Sequence, residues 1–363
     1  MKKKLLSAVL SAAMVASVIT GCGAKDTATT TPAADNTETK TEQAADNTDT
    51  ATADKADETA TGNGKVYYLN FKPEADQAWQ ELAKLYTEQT GVEVKVVTAA
   101  SGKYNETLLA EMDKEEAPTM FVVGNKAAVE TWKDDVIDLK DTAIAKELNT
   151  DAYNLYTADG KLASIGYCYE CYGIIVNPDL VEKAGYKMDD IKNFDGLKKV
   201  AEDIHKRADE LGFDAFTASD MDGSSSWRFT GHMANLEYYY ESKEAGGWKE
   251  CPPELTGKYM DNFKALYDLA VVNSIVDRKE LANGGFDAQA EFAEGKAVFY
   301  VQGSWEAGGL EGKGMDLSNL SMIPYYCGVE GEEKAGLNCG TENYWAINGN
   351  ASEEDIQATL DFM

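Results

Sequence analysis

Apolar and polar positions change rhythm three times along the chain. Residues 5–19 form a short apolar stretch rich in small residues, preceded by Lys2, Lys3 and Lys4. Residues 23–64 contain no aromatic residue and no Val, Ile, Leu or Met. From Lys65 onward apolar residues recur with regular periods. Residues 66–70 read as a short strand. Pro73 opens a helix over 74–89 that stops at Gly91. Residues 92–97 alternate as a second strand, 104–113 are helical and 119–123 form a third strand. This strand–helix alternation predicts a parallel sheet covered by helices, and ligands bind beyond the carboxyl ends of such strands. Those ends are Phe71-Lys72, the loop of residues 99–103, and Gly124-Asn125. Further on, helices are expected at 195–211, 227–240, 258–272 and 286–294, and strands at 167–176, 297–301 and 320–323. Ser352 caps a last helix with Glu353, Glu354 and Asp355 in its first turn.

The first apolar stretch is too short to span a bilayer comfortably, so with its lysines it reads as a signal peptide over 1–21. It ends in Ile19-Thr20-Gly21-Cys22, which resembles the lipobox of bacterial lipoproteins. That resemblance implies cleavage before Cys22 and a lipid on its sulfur, tethering the chain to a membrane. Residues 22–64 cannot bury enough apolar surface to offset their ordering entropy and read as a disordered leash. The remaining ~300 residues exceed what one core usually organises, so two lobes are expected.

Charge narrows the partners. The net charge is −29; losing the signal removes three lysines and leaves 31 basic against 63 acidic residues, or −32. So acidic a surface argues against nucleic acid, whose phosphates need Lys and Arg. Hydrolytic and phosphate-binding signatures are absent from the sequence: no H-E-x-x-H, no G-x-S-x-G, no phosphate-binding glycine loop, and only His205 and His232. Cys168-x-x-Cys171 has no second pair and lies on an expected strand, so neither zinc nor thioredoxin-like chemistry is favoured. Asp220-x-Asp222-Gly223 opens like a calcium loop, but its twelfth position is Gly231 rather than Glu. Residues three apart on a strand are about 10 Å apart on opposite faces, beyond the ~7 Å a disulfide needs. Cys168 and Cys171 are therefore not expected to pair with each other. Either Cys327 or Cys339 is expected to pair with the crossover strand, or those two with one another; Cys251 stays unassigned.

Four segments resemble family 1 extracellular solute-binding proteins, the group that includes maltose-binding protein. Asp159-Gly160-Lys161-Leu162 leads through Tyr169-Glu170-Cys171-Tyr172-Gly173 to Val176-Asn177 and then to Leu180-Val181-Glu182-Lys183-Ala184-Gly185. Phe292, Glu294-Gly295-Lys296-Ala297 and Gly303-Ser304-Trp305 resemble a second signature. Gly340-Thr341-Glu342-Asn343-Tyr344-Trp345 resembles the strand returning to the first lobe. The lipoprotein start is also typical. The resemblance implies an α/β, two-lobed periplasmic-binding-protein fold of type II. Each lobe would be a mainly parallel sheet flanked by helices, with the ligand cleft between them. Lobe 1 would comprise 65–170 and 328–363, and lobe 2 would comprise 171–327. It further implies a monomeric, non-enzymatic, cofactor-free subunit of an ABC importer, which captures a carbohydrate and hands it to permease subunits. Because the chain stops at Met363 with Ile356, Leu360 and Met363 on one helical stripe, a longer gene product is expected.

A sugar needs hydroxyl acceptors and flat aromatic platforms. Glu170 on the crossover strand fits the first role, or is a hinge or surface glutamate. Trp305, after a Gly-Ser turn, fits the second, or is a core tryptophan. Trp227 starts a helix at a loop mouth. Asn125 and Ser101 would add polar contacts from the first lobe. Tyr344 and Trp345 alternate, so only one of them can face the cleft. Trp79, spaced with Leu82 and Tyr86, and the Tyr238-Tyr239-Tyr240 run read as packing. A non-sugar solute (polyamine, peptide or chelate) on the same fold, and a surface glycoside hydrolase, are the other classes. Product formation from oligosaccharides would mark the last.

Overall fold

The computed structural model describes residues 63–221, 225–249 and 252–363. The expected signal, Cys22, the leash up to residue 62, Cys251 and Asp222-Gly223 lie outside the described residues.

Strand β1 (Lys65–Asn70) is followed by a single tight turn, Pro73–Ala75, and by helix Asp76–Thr90. The helix ends where Gly91 adopts φ 74°, and the Gly91 N–H donates to the Thr87 carbonyl at 2.9 Å. Only glycine takes that left-handed cap cheaply. Strands β2 (Glu93–Thr98) and β3 (Met120–Val123) flank β1, both parallel to it, with helix Tyr104–Met112 between them in sequence. Strands β4 (Asn154–Tyr156) and β5 (Leu162–Gly166) extend the same sheet. The chain then crosses to a second sheet built from β6 (Glu170–Val176), β7 (Asp214–Phe216), β8 (Ala297–Gly303), β9 (Ser321–Ile323) and β10 (Asn338–Gly340). Finally β11 (Tyr344–Ile347) inserts between β3 and β5. The orders are β2-β1-β3-β11-β5-β4 and β10-β6-β8-β7, with β9 also on β6.

This is the two-lobed α/β fold, with two refinements. First, pairing is mixed: β1, β2 and β3 are parallel, as are β7 and β8, whereas β11 and the three partners of β6 (β8, β9 and β10) run antiparallel. The reason is topological. Strands β6 and β11 enter their sheets from the crossing, while β1 and β8 run toward it. Second, residues 338–340 belong to the second sheet, so the return falls at residues 341–343 rather than at 328. Pairing of β10 with β6 and a Cys171–Cys339 disulfide hold that segment on the second lobe. The disulfide realises one of the two expected pairings, and Cys168 and Cys327 are free. The expected strand over 167–176 breaks at 167–169, which form the outward crossover.

Each lobe has its own core. Tyr68, Leu69, Met120, Phe121 and Ile347 centre the first. In the second, alternation along β6 sends Ile174 and Val176 to one face and Ile175 to the other, where Tyr300, Phe292 and Leu310 meet it. Both faces are thus covered, which explains the unbroken Ile-Ile-Val run. Helix Glu353–Phe362, capped by Ser352 accepting from the Asp355 N–H, lays Ile356, Leu360 and Met363 against the first core.

Candidate functional site

The outward and return crossovers run side by side. Glu170 faces Gly340 and Cys171 faces Cys339 across the β6–β10 ladder. Against this ribbon opens a cleft of about 360 Å³. One wall is Glu170 and Tyr172 of β6 with Trp305 after β8. The lining continues along the adjacent strand β10 through Asn338, Cys339 and Gly340, and past it through Thr341 and Glu342. Helix Asn235–Glu244 closes one side with Asn235, Tyr238, Tyr239 and Ser242.

Two carboxylates face this space, one paired with a lysine and the other with a histidine nitrogen. Lys72, just past the carboxyl end of β1, pairs with Glu170 at 2.5 Å and with Glu74 at 3.5 Å. Burial pulls the Lys72 ammonium down, but the hydrogen bond and charge of Glu170 outweigh it and hold its pKa above the ordinary lysine value. Its Nζ lies 5.8 Å from the Trp305 ring centroid. Glu342, exposed in the cleft, lies 3.2 Å from His232 Nε2, and that hydrogen bond holds its carboxyl below the usual range. Burial pushes the nearby Cys168 thiol up, so it remains a thiol.

The aromatic groups cluster around His232. Its ring stacks on Tyr172 at 4.0 Å and 11°, and the Trp305 centroid is 5.3 Å away. His232 sits in a π-helical turn, Arg228–Met233, that precedes helix Asn235–Glu244 in place of the single regular helix expected. Such wide turns recur at functional sites. Tyr172 Oη accepts from Asn235 Nδ2 at 2.7 Å, which ties β6 to that helix.

The structure therefore brings Glu170 and Trp305 into one wall. Trp227 packs beside it, 6.0 Å from Trp305, with the Arg228 guanidinium 4.7 Å from its ring. Asn125 is an exposed N-cap whose side chain accepts from the Ala128 N–H at 2.9 Å. Ser101 lies in an exposed turn after β2. Tyr344 donates its hydroxyl to the Thr341 carbonyl at 3.1 Å, bracing the return crossover. None of these last three belongs to the lining just described. Trp345 turns into the first core, stacked on Tyr167 at 4.5 Å, and Trp79 packs on Tyr68 at 5.0 Å.

Sequence reasoning missed Tyr172, His232, Glu342 and the helix tyrosines as cleft residues. Tyr172 and Glu342 stood in the segments quoted above, and Lys72 in a strand-end loop. Tyr238 and Tyr239 gave no separate signal, because a helix face is defined only by what it packs against.

The chain matches the bacterial extracellular solute-binding protein family over residues 81–363. A search of curated protein sequences finds no significant match. Among solved structures, the solute-binding protein RafE in complex with raffinose aligns with TM-score 0.64 at 19% identity, over 82% of this chain and 77% of that one. A chitin oligosaccharide binding protein aligns with TM-score 0.62 at 18% identity, over 83% and 76%. The GacH receptor of Streptomyces glaucescens GLA.O, described unliganded and with acarbose, aligns with TM-score 0.60 at 20% identity, over 82% and 75%. At these identities the structural likeness establishes the two-lobed fold, and the sequence match carries the assignment: the chain belongs to the bacterial extracellular solute-binding proteins.

Proposed function

We propose that this protein is the lipid-anchored solute-binding subunit of an ABC importer, tethered through Cys22, and that its cleft captures a carbohydrate. The observation that carries the reading is the cleft wall itself. Trp305, Tyr172, Tyr238 and Tyr239 offer flat apolar faces beside Glu170, Asn235, Thr341 and Glu342 as hydrogen-bonding groups. Flat C–H faces and many hydroxyls are what such a wall recognises. The carbohydrates named with RafE, GacH and the chitin oligosaccharide protein support the same class. The cleft carboxylates favour a neutral ligand over a polyamine, because Glu170 already meets Lys72 and Glu342 meets His232. A polycation would have to displace both partners.

In the mechanism we propose, Glu170 accepts sugar hydroxyls and Trp305 stacks on a ring, with Trp227 supporting it. Asn125, Ser101 and Tyr344 remain proposed contributors, reaching the ligand when the lobes close. Closure is favoured by contacts the open form lacks, and it marks the loaded protein for the permease. The test is calorimetry with raffinose, maltotriose and chitotriose on the wild type and Trp305→Ala. Loss of a stacking aromatic should cost about 2 kcal/mol or more, over tenfold in affinity. A variant that binds as tightly as the wild type, or one whose empty form melts far lower, removes Trp305 from the site.

A further inference from the structure

Trp305 lies on a one-turn segment, Ser304–Glu306, that offers little packing to hold a large ring. Besides the neighbouring rings of Trp227 and His232, what holds it is polar and buried. The indole N–H donates to Gln302 Oε1 at 2.9 Å, and Gln302 is 1% exposed on β8. The Gln302 amide in turn donates through Nε2 to Glu306 Oε1 at 2.9 Å. Glu306 Oε2 accepts from Gln289 Nε2 at 2.8 Å and from the Tyr300 hydroxyl at 3.1 Å.

This network has only one consistent polarity. A carboxylate accepts and never donates, so Glu306 must face the NH2 end of the Gln302 amide. That leaves the amide oxygen directed at the indole, which can only donate. Steric features agree with this arrangement. A Cβ on Gly303 would stand 2.3 Å from two carbons of the Trp305 ring, and one on Gly309 would stand 2.1 Å from Gln289 Nε2. Glycine at both places leaves room for the ring and for the far end of the network.

We infer that Gln302, oriented by Glu306, is a positioning residue that sets the angle of the Trp305 ring in the cleft. Its role in ligand binding rests on the proposed reading of Trp305 as a stacking platform. A ring held before the ligand arrives costs no ordering entropy on binding, which is where such a network gains affinity.

The test uses the indole N–H signals of the 15N-labelled full chain, with Trp305 assigned by its loss in Trp305→Phe. In Gln302→Leu, which keeps volume but removes the acceptor, the Trp305 signal should move and its solvent exchange rise about tenfold. In Gln302→Glu, two carboxylates face each other at neutral pH. The Trp305 signal should then titrate, returning toward the wild-type position as acid restores a proton between residues 302 and 306. The other indole signals report whether each variant is folded. A Trp305 signal unmoved in Gln302→Leu and flat with pH in Gln302→Glu overturns the assignment. Failure of the platform reading shows separately, as sugar affinity that survives Trp305→Ala, and leaves the indole titration unchanged.

Discussion

Reducing the Cys171–Cys339 disulfide should destabilise this protein more than removal of any single surface contact. The bridge joins positions 168 residues apart, and the loop it closes holds the whole second sheet and its helices. The same loop separates β5 from β11, so assembly of the first sheet also depends on how far apart those ends wander. On the chain-entropy account, closing a loop of that length removes about 5 kcal/mol of denatured-state freedom. The native strand it fastens has little else to rely on. β10 is three residues long, lies at the sheet edge on β6 and carries Cys339 exposed. Dividing by the unfolding entropy of a folded part of about 300 residues, the melting temperature should fall by about 8 °C. Scanning calorimetry of the oxidised protein, of the protein in a phosphine reductant, and of the Cys171→Ser/Cys339→Ser double variant measures it. Reductant should have no further effect on the double variant. A double variant melting within about 2 °C of the oxidised wild type would refute the reasoning, because the cross-link would then restrict nothing that the folded contacts do not already restrict.

Three other outcomes are expected. Lys72→Met leaves Glu170 and Glu74 facing each other without their shared cation at a site where the Lys72 and Glu170 side chains are only 12% and 18% exposed. Urea unfolding should register a loss of about 2 kcal/mol, short of the cost for a fully buried pair, and an unchanged midpoint would mean the pair is screened by water. Glu237 is buried, and burial, reinforced by the hydrogen bond and charge of Glu241, pushes its carboxyl pKa up. Its folded pKa lies above the unfolded value, so its contribution to stability is full below about pH 4.5 and is lost as pH rises through the folded value. Glu237→Gln should therefore be more stable than the wild type at pH 8 and nearly equal at pH 4, and a pH-independent difference would contradict the raised pKa. Glu241 behaves oppositely. Thr256 hydrogen bonds hold it at about 2, so its contribution is present above the unfolded value and fades only in acid. Gly303→Ala should push the Trp305 ring out of place, seen as increased acrylamide quenching and weaker sugar binding; unchanged quenching would show that the ring has room to spare.

Much of this architecture can be read from local pattern because the cause is local. The period-two run at β2, Pro73 at a helix entry, Gly91 at a helix exit and Ser352 at a cap each act within a few residues, and each stands where the pattern places it. The Glu170 and Trp305 segments were legible for a related reason, since each joins an unusual residue order to a strand end. What the sequence could not determine is set by neighbours far along the chain. The return crossover lies at 341–343 because β10 pairs with β6, a contact between residues 168 positions apart. Tyr238 and Tyr239 face a cleft rather than a core because of where their helix docks on β6, through Asn235 and Tyr172. Gln302 was invisible as a site residue because its alternation marks it only as buried. Its meaning comes from Glu306 and the indole of Trp305, which the fold brings to the two ends of one amide. Side-chain period reports which face a residue occupies, and only the packing of the two sheets decides what waits on that face.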